Sequence, residues 1–136
     1  MKSEEKGFRI ELQCSDADWW HFNVEMLCEA RNERDERVGF VATHSTIAEV
    51  GANLAACPKG SGHPPKIVLQ TPPCDHAQLF LYLIPHTLPE SNRIEEIAPF
   101  PIRLTLYADG VQLRSEEHMV NRWAGVSLAL RLKYES

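Results

Sequence analysis

Cys57, His63, Cys74 and His76 are zinc-type ligands falling in one stretch of the chain, and Asp16 and Asp18 stand two apart beside Trp19, Trp20 and His21. Thiolates and imidazoles suit a tetrahedral zinc ion, and paired loop carboxylates suit calcium, which takes roughly six to eight oxygens. The spacing supports neither site. A zinc finger pairs C-x₂₋₄-C with H-x₃₋₅-H, and those pairs are absent. A strand over 66–71 would also carry the chain about 20 Å and hold His63 away from Cys74. Calcium would need further acids from other turns, and Asp75 and Asp109 are the candidates, although Asp109 is already explained by its turn. We therefore assign no cofactor and no metal. Asp16, Asp18, Cys57, His63, Cys74 and His76 are the positions from which a metal site would have to be built.

Nucleophilic catalysis is not signalled. Cys74, Asp75 and His76 are adjacent, and neighbours on extended chain point apart. The G-x-S-x-G elbow is missing. The segment KGSG lacks the order of a phosphate-binding loop. The acidic pairs Glu95–Glu96 and Glu116–Glu117 read as solvated charge. The chain leans towards a non-enzyme, with an enzyme as the third reading.

Aromatic side chains are the stronger binding candidates. On extended chain Trp20 joins the core stripe, and Trp19 falls on the polar face with His21. An exposed tryptophan can stack on a sugar or anchor a protein. Trp19, His21 and Trp123 are thus the candidate ligand-binding residues, with burial under a neighbouring loop as the alternative.

The elements that must position these residues are strands. Phe8, Ile10, Leu12 and Cys14 alternate with polar residues, as do Trp20, Phe22, Val24, Met26 and Cys28, with Leu27 the exception. Val126, Leu128, Leu130, Leu132 and Tyr134 repeat the pattern over a strand spanning 123–134. One apolar and one wet face is what a sheet over a core requires. A strand of that length could run through the centre of its sheet. Further strands are predicted over 38–44, 66–71 and 78–84. In the last, LFLYLI is apolar on both faces, so it should be central or covered on its outer side.

The segment SDAD (15–18) predicts a hairpin loop joining the first two strands. Asp109–Gly110 predicts a type I′ turn, pairing Ala108 with Val111, Tyr107 with Gln112, Leu106 with Leu113 and Arg103 with Glu116. The charged run 29–38 predicts a hairpin tip. A short helix is expected near 46–56, with another strand as the alternative. The proline-rich segments 58–66 and 85–101 read as loops.

The expected fold is an all-β, two-layer antiparallel β-sandwich of about eight strands, immunoglobulin-like or jelly-roll/C2-like. Residues 1–7 should be a flexible segment, with a single domain over 8–136. With 43% hydrophobic and 24% charged residues, the 136-residue chain is long enough for one substantial core. Its cysteines lack disulfide-scaffold spacing, and Cys14 and Cys28 read as buried free thiols.

A net charge of -5 opposes binding to nucleic acid. No apolar run approaches the roughly 18 residues of a membrane span. The charged start MKSEEKGF lacks the apolar core of a secretory signal, which points to the cytoplasm. The sequence predicts a non-catalytic binding or assembly module with a protein partner or a homo-oligomeric state. The alternative is a jelly roll binding a carbohydrate or another small-molecule ligand.

Overall fold

A computed structural model describes residues 7–89 and 98–133. Most of the segment 1–7, the Glu95–Glu96 pair and Tyr134 lie outside them. Among the described residues there are eight strands: β1 (Phe8–Gln13), β2 (Phe22–Arg31), β3 (Arg37–Ser45), β4 (Lys66–Gln70), β5 (His76–Pro85), β6 (Phe100–Ala108), β7 (Val111–Val120) and β8 (Val126–Lys133). They form two antiparallel four-stranded sheets, sheet A in the order β4-β1-β6-β7 and sheet B in the order β3-β2-β5-β8. The molecule is a two-layer β-sandwich, as the alternation requires.

The inward stripes meet between the layers. Phe8, Ile10, Leu12, Ile102, Leu104 and Leu106 of sheet A face Phe22, Val24, Met26, Leu79, Leu81 and Leu83 of sheet B, all essentially removed from water. Each such side chain contributes roughly 1.5–3 kcal/mol of burial before entropy. The free thiols of Cys14, Cys28 and Cys74 are buried too. Burial, with Cys74 and Glu29 nearby, pushes the Cys28 thiol up to about 12, so it stays protonated.

Several expectations are corrected. β1 and β2 do not form a hairpin: they belong to different sheets, and residues 14–21 carry the chain across the roughly 10 Å between layers. That crossing contains a 3-10 turn at Trp19–His21, which breaks the alternation. Trp19 is therefore buried and Trp20 half-exposed, the reverse of the extended-chain expectation.

Residues 46–56 form isolated turns rather than a helix or strand. Gly51 and Asn53 adopt φ of 91° and 47°, which a right-handed helix excludes, and the Asn23 side chain binds the backbone of Ile47 and Ala48. β8 is an edge strand starting at Val126, because a turn closed by the Asn121–Gly125 bridge takes up Trp123.

The Asp109–Gly110 turn has positive φ at both residues and pairs Ala108 with Val111 and Tyr107 with Gln112. A β-bulge then shifts the register, so Leu106 opposes Arg114, and Arg103 opposes and pairs with Glu117, 3.4 Å away. Glu116 instead shares the inward side with Leu104 and bonds His118 at 3.1 Å. Charge pointing inward on an edge strand discourages pairing with another chain.

Candidate functional site

The strand directions gather crossing segments at one end of the sandwich: 14–21, 46–65, the described residues 86–89 and 98–99, and 121–125. Asp16, Asp18, Trp19, His21, Cys57, His63 and Trp123 all lie there. Cys74, Asp75, His76 and Asp109 lie at the opposite end, about 20 Å of strand away. Neither the zinc set nor the calcium set is brought together. Among the described residues, no three His, Cys, Asp or Glu side chains stand where they could share a metal ion.

At the crossing end the polar groups are committed to the fold. The Arg122 guanidinium donates to Asp16 and Asp18, each at 3.2 Å, and to the Ala98 carbonyl at 2.7 Å, and lies over the Phe100 ring. It holds the position a cation would take between the two acids, and ties three crossings together. A single arginine before a predicted strand carries no signal for this role in the sequence.

His63 donates from Nε2 to the Phe22 carbonyl at 2.6 Å, which leaves Nδ1 to accept from the Ser45 hydroxyl at 2.6 Å. Its ring also packs on Trp19, with centroids 4.5 Å apart. Burial foremost lowers the His63 pKa, and burial likewise lowers that of His21. The fully buried His86 bonds the Trp20 carbonyl and Thr87. Gly125, at φ 75°, brings the last crossing against β5: a Cβ there would sit 1.9 Å from the Leu83 carbonyl oxygen.

The three candidate aromatic-site residues are consequently separated in role. Trp19 is covered, and His21 uses its carbonyl to hold His86 and Thr87. Trp123 is half-buried, and its indole N–H finds no acceptor among the described residues. Cys57 bonds the Ser61 carbonyl in an exposed loop, and Cys74 lies 3.7 Å from the Thr71 hydroxyl. At the far end His76 is clamped between Asp75 at 2.9 Å and Asp35 at 2.8 Å. The His76 bond, despite partial desolvation, holds the Asp35 carboxyl below its ordinary range.

The unfinished surface lies elsewhere, on the outward side of sheet B. Directly paired residues of an antiparallel sheet share a face. The register aligns Ala42, Leu27, Phe80 and Ala129 in one row across all four strands. The next row is His44, Glu25, Tyr82 and Ser127; on the other side lies Phe40, Glu29, Gln78 and Arg131. Leu27, Phe80, Tyr82 and Ile84 stay half-exposed, and Phe40 is 52% exposed. Glu29 is held by Arg31 at 2.6 Å and by Arg37 at 2.9 Å, and these bonds lower its pKa. β5 is thus central, but its outer apolar side chains remain in contact with water.

No family model matches the chain, and no curated protein does. Among solved structures it is similar to a DUF4425 family protein from Bacteroides ovatus, at 14% identity and a TM-score of 0.44 over 94% of this chain and 93% of that one. The fold assignment rests on this chain's own strand pairing.

Proposed function

We propose that this chain is a non-catalytic protein-binding or assembly module whose working surface is the outer face of sheet B. The observation that carries the reading is the apolar row Ala42–Leu27–Phe80–Ala129, flanked by Phe40, Tyr82 and Ile84. Half-exposed Leu27 and Phe80 on the two central strands, with exposed Ala42 and Ala129 on the edge strands, form an apolar row of the kind that marks protein contact surfaces. The polar rim of Glu25, Gln78 and Arg131 would supply orientation.

The test compares proteins cross-linked to the wild-type chain in its source cells with those cross-linked to Leu27→Arg and Phe80→Glu variants. Partners lost with either substitution support the reading. Partners retained by both variants, or none with wild type, contradict it.

A second reading, a small-molecule or carbohydrate site at the crossing end, is favoured by one observation, the buried Trp123 N–H without an acceptor among the described residues. Titrating Trp fluorescence against a glycan panel tests it, and an unmoved spectrum would dismiss it.

A further inference from the structure

We infer that the occupant of the sheet B face is a second copy of this chain, packed face to face about a two-fold axis parallel to the strands. The inference rests on the proposed use of this face and names its partner.

In an isologous contact between two sheet faces the axis lies in the plane of the interface. Two orientations preserve the sheet grid. An axis across the strands, through the Leu27–Phe80 row, sets Glu29 against the partner's Glu25. That puts two acids at the centre of a closing interface, Glu29 paired with Arg31 and Arg37 and Glu25 facing it.

An axis along the strands, between β2 and β5, gives the opposite result. It exchanges β2 with β5 and β3 with β8, row by row. Leu27 then meets the partner's Phe80, and Ala42 meets the partner's Ala129. Glu25 faces the Tyr82 hydroxyl and Glu29 faces the Gln78 amide, each an acceptor against a donor. Phe40 faces Arg131, a ring against a guanidinium. The like-charge meetings are at the rim, where Arg37, which lies over Phe40 at 5.3 Å, comes near the partner's Arg131 and Lys133; Arg37 is already paired with Glu29 at 2.9 Å. Apolar side chains therefore meet apolar ones and acceptors meet donors along this axis, without two acids at its centre, and this matching selects the axis for a second copy.

The area is sufficient. Four strands at about 4.8 Å spacing and a run of about 30 Å give roughly 550 Å² per copy, or about 1,100 Å² for the pair. That meets the roughly 1,000 Å² a specific interface needs. The crossing end and the whole of sheet A stay outside it.

Bis-maleimide cross-linking tests the axis, using a linker of about 10 Å, the spacing of stacked sheets. In a Cys57→Ser background, Ala42→Cys combined with Ala129→Cys should give a dimer whose cross-linked peptide joins positions 42 and 129. Either single substitution should give little. Both positions are exposed on edge strands, so neither change touches the core. Phe80→Glu should at least halve the dimer fraction in sedimentation, with an unchanged circular dichroism spectrum confirming the fold. A 42-to-42 link in the single variant, a dimer indifferent to Phe80→Glu, or a wild-type chain sedimenting as a monomer at 100 µM would each overturn the inference. A monomer leaves the broader reading to the capture experiment, where retained partners would defeat it separately.

Discussion

The outward faces of the two sheets are built on the same pleat and finished in opposite ways. In sheet A the middle row reads Val68, Glu11, Thr105 and Ser115. Its centre is a carboxylate only 6% exposed, covered by Arg9 at 2.7 Å and Lys66 at 3.3 Å. Burial alone would raise the Glu11 carboxyl, and the two cations together hold it below its ordinary range. The corresponding row in sheet B is Ala42, Leu27, Phe80 and Ala129, with no charge to close it. One face satisfies itself with its own side chains; the other leaves apolar side chains in contact with water, and it is the face proposed above as the working surface.

The largest contrast to break is between the two sides of β5. Leu81 is fully buried, so Leu81→Ala should cost about 2–5 kcal/mol by chemical denaturation. On the opposite side Phe80→Ser should change monomer stability by less than about 1 kcal/mol while abolishing association. Equal losses of stability would make Phe80 a core residue and remove the contrast.

A smaller effect is expected at the crossing end. His63→Ala removes a tether between the 46–65 crossing and β2, and should cost roughly 1–3 kcal/mol without changing association. Dissociation in that variant would move the working surface to the loops.

Acid titration separates the regions further. His63 and His21 have lowered pKa values in the folded state, so the unfolded chain takes up protons first. Stability should be complete above about pH 6.5 and fall as the pH drops from there towards the lowered folded values. Glu11, Glu29 and Asp35 are also lowered, and their contribution, present above about pH 4, should be lost as the pH falls through their folded values. Denaturation midpoints against pH for wild type and His63→Asn would show the upper step shrinking in the variant. A flat profile from pH 7 to 5 would contradict the His63 assignment.

The smallest effect concerns sheet A. Glu11→Gln should lower stability by about 1 kcal/mol and leave association unchanged, because its partners remain half-exposed.

Much of this was legible in the sequence because period-two patterning records which side of a strand is dry. It predicted the layers, the Asp109–Gly110 turn and the central place of β5. Both signals of the sheet B face were also present: Leu27 interrupts the polar phase of its strand, and LFLYLI has no polar phase. Their meeting in one row was not legible, because register between distant strands is a tertiary property. Nor was the partnership of Arg122 with Asp16 and Asp18, more than a hundred residues apart in sequence. The exchange of Trp19 for Trp20 came from a three-residue 3-10 turn, too short to leave a periodic trace.

Tyr82 and Tyr107 offer a matched pair for the central claim, both half-buried, one on the outward face of each sheet. Hydroxyl-radical labelling, read by peptide mass over dilution from about 100 µM to the nanomolar range, should show Tyr82 and Phe80 protected at high concentration and released on dilution, with Tyr107 constant. Equal and concentration-independent labelling of the two tyrosines would contradict the account.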